Sequence, residues 1–316
     1  MWIYIVRRTL QGVLVLFLVS LTIFSLVRSL PGDVIMTQLD RAAALSKEDL
    51  ARARQELGLD RPVWQQYGTW MWGVLHGDLG HSLTNRKPVS EELGRRVILT
   101  FHLTILALCL ALLMAVPVGI MSAVWQDTMA DYLGRLCVII GLSLPDFWLA
   151  TVVITGMAIW WHWMPPMGFE PIWVDPVQCL EQLGIPALII GVRLSAVLMR
   201  MTRSALLEVL RADYVRTARA KGLRERVIIL KHALQNACIP VVTIIGQQFS
   251  VLLGSAVIVE VIFLLPGVGS LTLDAAMLRD YTMVQGAVMF FATVMVGINV
   301  FVDVSYAWFD PRLRYR

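Results

Sequence analysis

Residues able to do chemistry are few and scattered in this sequence. Cys109, Cys137, Cys179 and Cys238 show no pair at metal-ligand spacing and imply no disulfide framework. The histidines His76, His81, His102, His162 and His232 stand alone; His102 and His162 read as helix-end or interface residues. A phosphate-cradling loop of the form GxxxxGK-S/T is absent, so the chain cannot hydrolyse ATP by that route. An intramembrane hydrolase would need a Ser–His pair, paired aspartates or an HExxH run. Asp303 has no such partner, and no HExxH run occurs. No catalytic residue and no metal site is expected.

One polar stretch is organised differently: residues 203–240, RSALLEVLRADYVRTARAKGLRERVIILKHALQNACIP. Asp213 is a good N-cap residue type, and Tyr214 to Lys221 then predicts a two-turn helix. Arg219 and Lys221 fall in its last turn, where cations complement the helix dipole. Gly222 is placed to supply a left-handed closing residue. A second amphipathic helix, about 224–236, leads to Pro240. A short capped helix of this kind makes a rigid knob for a partner to grip. Spacing alone equally allows a connecting loop rich in basic charge.

The elements that must position this stretch are apolar. Hydrophobic residues make up 57% of 316 residues and charged residues only 16%, against about 25% charged in a soluble domain. So few charges cannot cover a water-facing surface. Apolar windows at 9–27, 97–126, 136–169, 232–259 and 281–302 are long enough to cross a bilayer, which needs about 20 residues. A sixth, 182–199, is interrupted by Arg193. No segment alternates as barrel strands do, so the expected fold is all-α with six spans. Arg7 and Arg8 precede a first window too long for a signal peptide and without a cleavage site, so it reads as a retained anchor. Leu30-Pro31-Gly32-Asp33 reads as its helix stop.

Basic residues in short loops set orientation. Placing both termini in the cytoplasm puts Arg203, Arg211, Arg216, Arg219, Lys221, Arg224, Arg226 and Lys231 inside, with Arg312, Arg314 and Arg316. Residues 170–181 have no Lys or Arg, and 264–280 has only Arg279. The expected division is a first span at 1–29, an external helical segment at 30–96, and a core of five spans at 97–316 with the cytoplasmic segment 203–238. Within 30–96, Ser46 to Glu56 predicts a short helix capped by Ser46 and Asp49, with Gly58 beyond its end. Pro88, Ser90, Glu91 and Glu92 start another helix. Trp64, Tyr67, Trp70 and Trp72 suit a membrane interface. This segment is either a lid packed on the spans or a docking surface for an external protein.

Charges in or beside spans require an explanation, because one at the bilayer centre costs about 2.5–3.5 kcal/mol or more. Glu260 lies at the outer end of span five and Asp303 near the inner end of span six, where pairing or capping is expected. Arg193 lies about midway along span four. It pairs with an acid of a partner, lines a path for an anionic or carboxylate-bearing solute, or marks the end of a shorter span.

The segment DYVRTARAKG followed by HALQNACIPVVT resembles the cytoplasmic signature of ABC importer permeases, in its dipeptide, oligopeptide and nickel branch. That signature is EAA, three residues and Gly, with a downstream Pro. Its Gly falls on Gly222 and its final Ala on Ala218, while Arg216 and Thr217 replace Glu and the first Ala. PGD at 31–33, ELGLDRP at 56–62, GDLGHS at 77–82, PVG at 117–119, RMTRSALLEVL at 200–210, PGVG at 266–269, RDY at 279–281 and DPRLRY at 310–315 resemble the same branch. The ordered set covers essentially the whole chain. The resemblance implies a type I importer permease fold in a bacterial inner membrane. It also implies a second homologous permease, two ATPase subunits that hold the ATP and Mg, and an external substrate-binding protein. Lipid surrounds the chain and no nucleic-acid partner is expected. The family's coupling helix enters a groove on the ATPase, which makes Asp213, Arg216, Ala218, Arg219, Lys221 and Gly222 the candidate contacts. Acids at 260 and 303 are usual for the branch, and an apolar residue is usual at 193. Dipeptides, longer peptides, glutathione-like thiols and chelated nickel are the solutes it allows. An ion-coupled secondary transporter is the competing class, but it usually shows inverted repeats, and no convincing internal repeat is present.

Overall fold

The computed structural model describes residues 2–29, 61–166 and 168–309. The helix stop at 30–33, the short helix at 46–56 with its caps, and the motifs at 31–33, 56–60 and 310–315 lie outside them. Among the described residues the chain is helical, and the sole extended pairing is an isolated bridge between His81 and Pro88. Helix α1 is Trp2–Ser29, α2 Val63–Leu75, α3 Val89–Val124, α4 Met129–Ser143 and α5 Asp146–Trp161. Helix α6 is Pro176–Leu210, α7 Asp213–Ala220, α8 Leu234–Ile262, α9 Val268–Met277 and α10 Tyr281–Phe309. Five are long and apolar enough to cross a membrane: α1 over Ile5–Ser29, α3, α6, α8 over Pro240–Ile262, and α10 over Tyr281–Val304.

The span expected at 136–169 is not one rod. The 136–169 window contains Asp146, and its helix breaks between Ser143 and Asp146, where α4 and α5 meet at 95°. Pro145 has no N–H to continue the ladder and disfavours helical geometry in Leu144 before it. Leu144 and Pro145 are both extended, with ψ near 122° and 140°. His162 then closes α5 in the left-handed region, φ 50°.

The described residues group into two compact units, Met1–Val97 with Val268–Arg316, and Ile98–Gly267. In the second, α3 presents Leu99, Leu103, Ala107, Ala111 and Ala115, all buried and four residues apart. Small residues at that spacing let helix backbones approach closely, the usual way membrane helices pack without a hydrophobic driving force. Gly191 of α6 shows how close: a Cβ there would stand 3.0 Å from the Ala107 carbonyl oxygen. At 35 residues, α6 reaches roughly 52 Å, well beyond a hydrocarbon core of about 30 Å. It is therefore longer than the apolar core it crosses.

In the first unit α1 packs along α10, with Gly12 against Val296. Arg8 pairs with Asp303 at 3.2 Å, so the acid near the end of span six has a partner on span one. The motifs GDLGHS and RDY meet through Asp280. Its carboxylate accepts from the Ser82 hydroxyl and from the Leu83 and Thr84 amides, and caps α10 by accepting from the Met283 amide. The aromatic residues near 64–72 pack in part on α1: Phe24 lies against Tyr67 and Trp70, and Tyr67 shares a hydrogen bond with Ser20. Large apolar side chains remain exposed elsewhere, Leu113 and Phe301 among them, as lipid-facing helices require.

Candidate functional site

The polar stretch between α6 and α8 folds as a braced knob. Helix α7 is Asp213–Ala220, but its N-cap is Ala212, and no side chain caps it. Asp213 is thus the first helical residue, not the cap expected from its type. Its carboxylate faces Arg216 at 3.6 Å, both exposed, and an acid in the first turn still complements the dipole. The C-terminal end is closed as expected. Gly222 has φ +74°, its amide donates to the Arg219 carbonyl at 2.9 Å, and the Leu223 amide donates to the Ala218 carbonyl at 3.3 Å. These two bonds are the Schellman closure, which glycine favours because the left-handed region has no Cβ penalty there.

Two contacts fix the knob to the chain that follows. Val215 is fully buried, as is Ile228 in the lead-in to α8. The Asn236 amide donates to the Tyr214 hydroxyl at 2.8 Å. The second amphipathic helix, expected at 224–236, is not separate. Glu225–Val227 is helical, Ile228–Ala233 is π-helical, and both run directly into α8. Pro240 accordingly lies within α8 and does not begin it.

Arg219 is already engaged inside the chain. Its guanidinium donates to Glu225 through Nη2 at 2.6 Å and Nε at 3.2 Å. Glu225 was not legible as its partner, since they belong to different elements six residues apart. The hydrogen bonds from Arg219 hold the Glu225 carboxyl below its ordinary range, outweighing slight desolvation, and Glu225 in turn raises Arg219. A depressed carboxyl stabilises the fold above its unfolded pKa and loses that contribution as pH falls through the folded value. Amide protection relative to the intrinsic exchange rate should therefore fall across 213–224 in acid, below about pH 4.3, and Glu225→Gln should remove the pH step. At neutral pH the effect is small, because exposed pairs contribute about 0–1 kcal/mol.

The three charges in or beside the spans each meet a partner or a packed site. Glu260 is fully buried and accepts from the Thr100 hydroxyl at 2.6 Å. It also lies over Gly267, where any Cβ would stand 2.1 Å from its carboxyl carbon. The glycine of the PGVG motif is thus required by contact. Asp303 has Arg8, as described above. Arg193 lies midway along α6 and pairs with an acid of its own chain: Nη1 stands 3.3 Å from Oδ2 of Asp146. The same Oδ2 accepts from the Ser255 hydroxyl at 2.7 Å. This cluster borders a cleft of about 240 Å³ between α4, α5, α6 and α8.

A further buried charge went unnoticed in the sequence. Asp131 of α4 is fully buried and receives Arg203 in a two-pronged bond, Nε at 2.8 Å and Nη2 at 2.9 Å. It also accepts from the Ser122 hydroxyl and the Asp127 amide, and Arg135 lies at 3.1 Å. In the sequence Arg203 stands as one of many basic residues between spans four and five. Its place in RMTRSALLEVL was the available signal. No group of three or more His, Cys, Asp or Glu among the described residues is arranged to hold a metal ion.

Residues 115–315 match the family described as binding-protein-dependent transport system inner membrane component. Residues 1–104 match its N-terminal membrane region. The glutathione transport system permease protein GsiC of Pectobacterium atrosepticum is 37% identical, with 99% of each chain covered. The dipeptide transport system permease protein DppB of Alkalihalophilus pseudofirmus is also 37% identical, again over 99% of each. A crystal structure of an amino acid ABC transporter with histidines shares the fold at TM-score 0.52 and 15% identity, covering 71% of this chain and 94% of that one.

Proposed function

Because the chain belongs to the binding-protein-dependent transport system inner membrane component family, as a permease subunit of an ABC importer, we propose that it carries small peptides inward and takes its drive through the α7 knob. It is a multi-pass inner-membrane protein, and its role is that of a permease component rather than an enzyme. The two relatives named for glutathione and for dipeptides support a peptide-class solute.

One observation carries the coupling reading: α7 is anchored on one side by Val215 and Tyr214, closed at Gly222, and leaves Arg216 and Lys221 exposed. A helix held at both ends moves as a body when pushed. In this reading Asp213, Arg216, Ala218, Arg219, Lys221 and Gly222 meet a groove on an ATPase subunit. Two such subunits bind ATP and Mg, a second homologous permease completes the path, and an external binding protein delivers the solute. Both termini and α7 face the cytoplasm. ATPase closure then biases the packing of the spans between two states, as coupled access requires.

The test is uptake into vesicles carrying the assembled importer, with nucleotide on the ATPase side. Peptide uptake should require both ATP and the binding protein and should persist with a protonophore. Uptake that collapses with a protonophore at constant ATP would overturn the reading.

A further inference from the structure

We infer that the cleft at Arg193 is a solute site within the permease, recognising a free carboxylate through Arg193 and an ammonium through Asp146. This rests on the peptide-importer reading and goes further, by assigning the chemistry of recognition to two residues of the permease itself.

The pair is poorly optimised as a structural bridge. A guanidinium offers five N–H donors, and the bond to Asp146 uses one, at 3.3 Å. Charge-assisted bonds are commonly nearer 2.7–2.9 Å, as the Arg203–Asp131 pair of the same helix shows at 2.8 and 2.9 Å. Half of the Arg193 side chain is exposed, whereas Asp146 is 7% exposed. The arginine therefore presents donors to the cleft, and Asp146 holds its charge in check when the cleft is empty. Ser255 supplies Asp146 with a second donor, which holds the carboxylate in place but leaves its charge unpaired when Arg193 turns away. Gln248 adds a polar group to the lining, and Leu142, Val251 and Leu252 supply apolar wall.

A zwitterionic solute fits this arrangement by exchange. Its carboxylate replaces Asp146 on the guanidinium, and its ammonium replaces the guanidinium at Asp146. Each new ion pair substitutes for one that existed, so no buried charge is stranded and binding stays weak. A transport site needs weak binding, because the solute must leave as well as arrive. A solute blocked at either end strands one charge and should be disfavoured.

The probe is dialanine, compared with its C-terminal amide and with N-acetyl-dialanine, by saturation-transfer NMR on the assembled permease–ATPase complex without binding protein. Dialanine should give transfer, and both blocked forms should give at least about tenfold less. In assembled Arg193→Met complex the preference for the free carboxylate should vanish, and in Asp146→Asn the preference for the free amine. If those variants fail to assemble, the three ligands on the wild-type complex still decide. Equal transfer from all three, or none from any, would overturn the proposal. ATP-dependent peptide uptake by the same wild-type complex, once binding protein is added, would show that only the site had failed. Its absence would strike the importer reading as well.

Discussion

Arg203→Met is expected to remove most of the folded permease from the membrane, while Arg203→Met combined with Asp131→Leu restores much of it. Asp131 is fully buried, Arg203 is partly buried with 18% of its side chain exposed, and their bond is two-pronged. Breaking a buried pair by deleting one member costs about 3–5 kcal/mol, and Arg135, 3.1 Å from Asp131, offsets only part of that cost. Against a total stability of about 5–15 kcal/mol that is a large fraction. Removing both charges together avoids the stranded ion, and such replacements are often close to neutral. Arg135, partly exposed, can turn to solvent once Asp131 is gone. The measurement is the fraction of detergent-resistant, correctly sized protein for the two single variants and the double. A double variant no better than the singles would mean that Asp131 and Arg203 do not act mainly on each other.

The spans were legible because lipid imposes a simple rule: backbone polar groups must be satisfied within the segment, under side chains that tolerate hydrocarbon. Contiguous apolarity reports that rule directly, and the windows around α1, α3, α6, α8 and α10 follow it. The break at Pro145 was hidden for the same reason. Flanking Leu, Ile, Trp and Val kept the window apolar, so Asp146 and the proline beside it did not register. Partners across the fold were not legible at all. Asp131 with Arg203, Asp146 with Arg193, and Glu225 with Arg219 are separated by 72, 47 and 6 residues, and no local pattern joins them. The left-handed close at Gly222 was readable because only local backbone geometry sets it. The cap at Asp213 was misread because Asp also suits the first turn, and type alone does not separate the two positions.

The two arginines of α6 share a structural logic. Arg203 receives an acid from α4 and Arg193 receives one from the first turn of α5. Both halves of the broken span are thereby tied to one long helix. The tie at Arg203 is short, two-pronged and largely buried. The tie at Arg193 is long and half exposed. A re-packing of the spans would loosen the second before the first, which places the pliable contact beside the cleft and the rigid one toward the knob.

Gly222→Val should reduce substrate-stimulated ATP hydrolysis and uptake by at least about tenfold, with smaller loss of complex assembly. The backbone at 222 has φ +74°, a region that costs an L-residue about 1–2 kcal/mol and a β-branched one more. The Schellman bonds from Gly222 and Leu223 then loosen, and α7 frays at its last turn. A frayed lever yields under load, so motion at a partner's groove fails to reach α8. Intrachain packing does not oppose a side chain here, since a Cβ at 222 would meet nothing within 4 Å. That openness separates two causes. Asparagine tolerates the left-handed region far better than valine, so Gly222→Asn keeps the closure while adding bulk toward a partner. Recovery of coupled hydrolysis in Gly222→Asn would assign the requirement to backbone shape. Equal failure of both variants would assign it to close approach of the ATPase surface. Normal coupled hydrolysis in Gly222→Val would remove α7 from the path by which the importer is driven.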